Sequence, residues 1–238
     1  MSYKLRVSSY NYVMKVIPTL LTTTKEECVR EINLFQKYFD RIQLDVADGK
    51  LVPNITTQIE EIKTLILEKK VNISKKVSYD FHLMVRDYAP ELKTIIELNQ
   101  LGVTIGTILI NAALYPNIED LTNRYEFSIG LDVFPPVQID DLARKYNLIK
   151  IPTFQIMTVN PGFQGSPFLP NMLMKIEQLR KKDYRGEIMI DGGVNDNTIT
   201  TIMNAQERPD FLCIGSYLTK AGTDLKNRIE KLKNLNRL

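Results

Sequence analysis

Two aspartates, Asp45 and Asp191, each close an apolar run of strand character and each precede a glycine-bearing turn, in RIQLDVADGKLVPN and GEIMIDGGVN. Carboxylates drawn from stretches this far apart can face one carbon from opposite sides. That arrangement is what removing a proton on one face and returning it on the other requires. The chain's single histidine, His82, stands in a third such run, DFHLMV, and could join the pair around a metal ion. Each residue also has a plainer role. An Asp before Gly at a strand end forms a turn or caps a helix, and a histidine on an apolar strand is commonly a hydrogen-bonded core residue. Asp48, in the same turn as Asp45, reads as structural. The three taken jointly point to chemistry.

Bringing them together demands a rigid frame. Eight short β-rich runs, VIPTLL, RIQLDVA, YDFHLMV, VTIGTILIN, FSIGLDVF, IKIPTFQIM, EIMID and DFLCIG, alternate with segments of helical period. The helical segments include TKEECVREINLFQKYF, APELKTIIELNQLG, FLPNMLMKIEQLRKK and LTKAGTDLKNRIEKLKNL. Repeated strand-then-helix order implies a parallel sheet of the α/β class, and eight such units imply closure into a single (β/α)8 TIM barrel. A doubly wound open sheet is the alternative, weakened because no G-x-G-x-x-G turn follows the first strand. Asp45, His82, Met157 and Asp191 all fall late in their strands, the end at which such barrels assemble their sites. The strand period of two places Gln43 on the face of Asp45, and Met84 on that of His82.

The 238 residues, 44% of them hydrophobic, suit one domain spanning 1–238, with 1–14 as a short N-terminal extension. Lys and Arg number 31 against 28 Asp and Glu, interleaved for a net +3, so no nucleic-acid footprint is expected and an anionic small molecule would need only a local site. The first residues, MSYKLRVSSYNYVMKVIP, lack the apolar block of a signal peptide, and no run of roughly 18 apolar residues predicts a membrane span. Cys28 and Cys213 sit in apolar settings without metal-like spacing and read as reduced core residues, which fits a cytoplasmic protein. The basic, amphipathic LKNRIEKLKNLNRL reads as the last barrel helix with a solvated face. Assembly into a homo-oligomer is left open.

Five blocks, RIQLDVADGKLVPNITTQ, FHLMV, QIMTVNPGFQGSPF, MIDGGVNDNTI and CIGSYL, resemble in order the ribulose-phosphate 3-epimerase family over nearly the whole chain. The resemblance implies a (β/α)8 barrel that inverts C3 of a ketose phosphate through an enediolate with one divalent metal ion, Mn²⁺, Mg²⁺, Fe²⁺ or Zn²⁺. Carried over by position, Asp45 and Asp191 would be the acid/base pair and metal ligands, and His82 a further ligand. Such chemistry needs the ion, because a proton beside a ketone is too weakly acidic for a free carboxylate unless the developing oxyanion is stabilised.

The chain departs from that pattern at several positions. Gln43 replaces a family histidine; it is either a fourth, weaker metal ligand favouring Mg²⁺ or Mn²⁺ over Zn²⁺, or a hydrogen-bond partner of the substrate. Thr19 replaces serine, Ala47 replaces methionine, and Ser166 stands where the family has glutamine. Asn111 ends the fourth strand, at which the family has His-x-Glu-Ala, and the fifth strand runs into DVFPPV, where Phe134 and Val137 are apolar in place of a polar Asn-Pro and Thr. Phosphate recognition is expected from the turns holding Gly193, Gly215 and Ser216, with Gly162 and Gly165 in a loop able to close over the substrate. Met84 and Met157 would pack on the planar intermediate, although inward methionines are also ordinary core filling. The expected function is therefore a sugar-phosphate 3-epimerase converting D-ribulose 5-phosphate to D-xylulose 5-phosphate. An allulose-6-phosphate-type substrate, for which Ala47 would leave room, and a catalytically silent sugar-phosphate-binding paralogue are the alternatives.

Overall fold

Strands rich in Val, Ile and Leu must be covered on both faces, which a closed parallel sheet ringed by helices achieves. The computed structural model, which describes residues 14–162 and 165–235, has that form. Its strands are β1 (Lys15–Leu20), β2 (Arg41–Ala47), β3 (Ser78–Met84), β4 (Thr104–Asn111), β5 (Ser128–Val133), β6 (Thr153–Met157), β7 (Glu187–Asp191) and β8 (Phe211–Ile214). They pair in sequence order, every neighbour parallel, and β8 returns to β1 through Val16↔Leu212. The helices are α1 (Lys25–Phe35), α2 (Ile59–Leu67), α3 (Ala89–Gln100), α4 (Ile118–Tyr125), α5 (Ile139–Lys145), α6 (Met174–Lys181), α7 (Asp196–Met203), α8 (Ser216–Thr219) and α9 (Leu225–Lys233).

Local chemistry sets the boundaries. Thr24 accepts from the Glu27 N–H while the Glu27 carboxylate accepts from the Thr23 N–H, and the helix so started buries Cys28, Ile32 and Phe35 on one stripe. Two expected elements are broken. The run IKIPTFQIM becomes a strand only from Thr153, because Leu148–Lys150 curls into a 3₁₀ turn and Pro152 has no N–H to give a neighbour. The C-terminal helical stretch divides into α8 and α9, and Gly222, at φ +55°, lies between them. Most of the expected 1–14 extension lies outside the described residues, but Met14 is buried in the core.

Two apolar regions hold the frame. The larger lies between strands and helices, where residues such as Ile42, Val46 and Ile129 are fully buried; each such side chain contributes roughly 1.5–3 kcal/mol over its exposed state. Inside the barrel, Ile17, Leu109, Met189, Phe211 and Cys213 form a plug, so the interior is a packed core. Above that plug, toward the C-terminal strand ends, the inward side chains turn polar.

Candidate active site

The alternation along β2 and β3 sets Gln43 and Asp45 beside Asp80 and His82, with Asp45 directly opposite His82 in the parallel register. Asp191 arrives as the last residue of β7, next to Met157 of β6. The ligand atoms of Asp45, His82 and Asp191 lie within 4.8 Å of one another. His82 Nδ1 is 3.2 Å from Asp45 Oδ1 and 3.6 Å from Asp191 Oδ2.

Above these groups opens a cleft. Asp45, His82 and Asp191 form its floor, and Thr19, Met84 and Met157 line it beside them. Gly162 and Gly165 border it from the β6–α6 loop, Gly193 from the loop after β7, and Gly215 and Ser216 from the end of β8. Gly192 borders it as well, a residue the sequence reading passed over. Gly192 and Gly193 have φ of +108° and +71°, and a Cβ on Gly192 would come within 2.4 Å of Val159, so this turn requires glycine at both positions. Among the described residues, no lysine or arginine lines the cleft.

Gln43 lies beneath the cleft, fully buried. Its Nε2 donates to Asp45 Oδ1 and to Asp191 Oδ2, both at 3.0 Å, and its carbonyl oxygen receives the Cys213 thiol at 3.6 Å. Turned the other way, that oxygen would face two carboxylates. Gln155, not foreseen from the sequence, is the matching amide on β6: its Nε2 donates to Asp191 Oδ2 at 3.1 Å and its oxygen also faces Cys213. Asp191 Oδ2 thus receives two amide donors, and the Thr158 hydroxyl and N–H bind the Asp191 backbone carbonyl at 2.9 and 2.7 Å.

A further acid, Asp132 of β5, was also unforeseen. It is fully buried, and its Oδ2 lies 3.1 Å from His82 Nε2 and receives Asn111 Nδ2 at 3.3 Å. The signal was present in the sequence, since Leu131-Asp132-Val133 repeats Leu44-Asp45-Val46 at the same point of a strand. Three carboxylates therefore surround one imidazole. Burial alone would lower the basicity of His82, but Asp132 and Asp45 outweigh it and hold the ring well above its ordinary pKa. Burial, then the charge of Asp45, pushes Asp191 up to about 8. A site this rich in anions, with oxygen and imidazole donors converging, suits a divalent cation.

The departures at Ala47, Phe134 and Val137 lie outside the cleft lining. Ala47 does not line the cleft; it packs with Val52 and Met84, and Leu21 and Phe134 lie against that cluster. The carbonyls of Phe134, Pro135 and Val137 all receive the buried Lys175 ammonium, at 2.8–3.0 Å, which ties the β5–α5 loop to α6.

Comparison with known proteins agrees with this architecture. The profile of the ribulose-phosphate 3 epimerase family matches residues 15–219. A ribulose-phosphate 3-epimerase of Helicobacter pylori strain J99 is 30% identical, covering 93% of this chain and 98% of that one. The Bacillus subtilis protein of the same name is 28% identical, covering 95% and 98%. Among solved structures, a 3-keto-L-gulonate-6-phosphate decarboxylase from Vibrio cholerae superposes with a TM-score of 0.62 at 14% identity, covering 94% of this chain and 97% of that chain. A 3-hexulose-6-phosphate synthase from Salmonella typhimurium superposes at 0.63 with 12% identity, covering 94% and 99%. At such low identity these two bear on the fold alone.

Proposed function

We propose, from the premise that the chain belongs to the ribulose-phosphate 3 epimerase family and is an isomerase, that it interconverts D-ribulose 5-phosphate and D-xylulose 5-phosphate by proton transfer between Asp45 and Asp191. The observation that carries this reading is the convergence of those two carboxylates, from strands separated by β1 and β8, on one cleft floor with His82 between them. One carboxylate takes the C3 proton and the other delivers a proton to the opposite face; in the reverse direction the roles exchange.

Asp45, His82 and Asp191 would hold one divalent ion, Mn²⁺, Mg²⁺, Fe²⁺ or Zn²⁺, whose charge stabilises the oxygen that becomes negative beside the reacting carbon. Gln43 acts as the donor that keeps both acids aimed at the cleft; to serve as a ligand its amide would have to turn over. Thr19 offers a hydroxyl to the sugar, and Met84 and Met157 cover the planar intermediate and exclude water. The phosphate sits against Gly193, Gly215 and Ser216, whose backbone N–H groups can approach an anion closely, with Gly162 and Gly165 closing over it. The pentulose is preferred over a hexulose phosphate because the space near Ala47 is occupied by packed side chains. The two cysteines, both buried and unpaired, suit the reducing cytoplasm. No helix among the described residues is long and apolar enough to cross a membrane.

The test is proton exchange. In deuterated buffer with Mn²⁺, the protein is expected to replace H3 of D-ribulose 5-phosphate by deuterium while D-xylulose 5-phosphate accumulates, followed by NMR. No exchange with any of the four metals, on five- or six-carbon ketose phosphates, would overturn the reading and leave a binding role.

A further inference from the structure

We propose that Asp132 is a positioning residue that fixes the His82 imidazole with Nδ1 turned toward Asp45 and Asp191 and a proton on Nε2, an inference that rests on the metal-assisted reading above. A neutral imidazole carries its proton on one nitrogen and offers a lone pair on the other, and the partner of the protonated nitrogen decides which is which. His82 Nδ1 faces the two carboxylates of the cleft floor, at 3.2 and 3.6 Å. For that nitrogen to present its lone pair to a cation, the proton must reside on Nε2 and needs an acceptor there.

Asp132 Oδ2, 3.1 Å away, is the acceptor in place. The contact has ion-pair distance without ideal hydrogen-bond alignment, and His82 Nε2 and Asp132 Oδ1 are both buried without a hydrogen-bond partner. A fully buried carboxylate with an unpaired oxygen is expensive, and a hydrocarbon of similar size would serve packing better. Its surroundings hold it in one orientation. Asn111, neighbour of Asp132 in the β4–β5 register, donates Nδ2 to Oδ2 at 3.3 Å while its own Oδ1 receives the Ala113 N–H at 3.0 Å. A chain of contacts thus runs from the Ala113 backbone through Asn111 and Asp132 to the imidazole. The amide at position 111, one of the chain's departures from the family pattern, is the donor this arrangement needs, because a carboxylate there would repel Asp132. A carboxylate behind a ligating histidine orients the ring and raises its basicity, and its loss typically weakens metal binding 10–100-fold.

The experiment uses the full chain and the variants Asp132→Asn and Asp132→Leu, the second chosen because a buried hydrocarbon keeps the fold even if the amide does not. Calorimetric titration with Mn²⁺ is expected to show binding about 10–100-fold weaker in the variants, with KM for the sugar phosphate unchanged at saturating Mn²⁺. His82 is the only histidine, so ¹⁵N-histidine labelling gives one imidazole signal set. With Zn²⁺ bound, wild type should show a single form protonated at Nε2, and the variants a mixture or the other tautomer. Unchanged Mn²⁺ affinity and an unchanged imidazole spectrum in variants with wild-type thermal stability would overturn the assignment of Asp132 alone, provided that Asp45→Asn abolishes Mn²⁺ binding. A wild-type protein that binds none of the four ions would overturn both this assignment and the metal-assisted reading.

Discussion

The two ends of the barrel bury aspartates in opposite ways. At the N-terminal end, Asp80 of β3 is inaccessible, yet Arg41 Nε donates to it at 2.8 Å and the Thr107 N–H at 2.7 Å. Arg41 also reaches the Thr107 hydroxyl and stacks on Phe211, 4.7 Å from the ring centroid. Gly106 leaves the necessary room, since a Cβ there would come within 2.1 Å of the Asp80 carboxylate. At the C-terminal end, Asp45, Asp132 and Asp191 surround His82, and the other donors are neutral amides. Charge is therefore balanced internally at one end and left in anionic excess at the other. In these barrels the first end serves stability and the second chemistry, and the contrast can be broken from either side.

The largest effect is expected at the anionic end. Asp191→Asn should lower kcat for C3 epimerisation by about 10³-fold or more, within the range that a positioned acid or base contributes, while KM changes only a few-fold. The metal-free variant should melt no lower than wild type, because the substitution removes a buried carboxyl whose ionisation burial and Asp45 already disfavour. Steady-state kinetics and calorimetric melting check both parts; retention of a tenth of the activity would remove Asp191 from the acid/base pair.

At the balanced end, Arg41→Met should cost about 3–5 kcal/mol of stability, the usual penalty for leaving a buried carboxylate without its partner. Asp80→Leu added to it should recover most of that loss, and kcat per folded molecule should hold throughout. Urea titration measures the first two and kinetics the third. A fall in kcat with full stability would mean that the two ends are coupled through the plug.

How much of this was legible in advance follows from the same contrast. Apolar, β-rich runs separated by helical segments announced eight strands, because burial on both faces forces near-continuous hydrophobic stretches of strand length. Asp45 and Asp191 stood out because each carboxylate closes an apolar run shortly before a glycine-bearing turn, and His82 because it is the chain's single histidine, set late in such a run. Asp132 carries the same Leu-Asp-Val trio but is followed by Phe and Pro, and without the glycine turn it read as part of the strand. Gln43 was seen as a candidate ligand or substrate partner, and its bridging of the two acids depends on β2 and β7 approaching across the barrel, a separation of 148 residues. Gln155 and Lys175 act through contacts of that kind, which leave no local spacing to read.

A third prediction makes the contrast between the ends quantitative. If a cation balances the anionic excess of the cleft floor, its binding should stabilise the fold: Mn²⁺ at 100 times its Kd is expected to add about 2.7 kcal/mol, read as a rise in melting temperature. Asp45→Asn should abolish the rise and Arg41→Met should leave it intact. Equal stabilisation of all three proteins would place the ion elsewhere.

The smallest expected effect comes from a buried acid at neither end. Glu31 of α1 is 5% exposed, its Oε2 has no partner, and its nearest cation, Arg30, is 3.8 Å from Oε1. Burial, then the charge of Glu27, raises its carboxyl from 4.5 to about 7, with Arg30 opposing. The native state therefore keeps a proton between about pH 4.5 and 7 that the unfolded chain has already released. Stability falls as pH rises through that window and levels off above it. Glu31→Gln should match wild type near pH 4.5 and exceed it at pH 8 by about 1–3 kcal/mol, measured as the difference between urea midpoints at the two pH values. Asp191 titrates within the same range, but its contribution is common to both proteins and cancels. An identical pH dependence in the two proteins would mean that Glu31 is hydrated in solution, leaving the cleft floor as the site where burial without a partner is maintained.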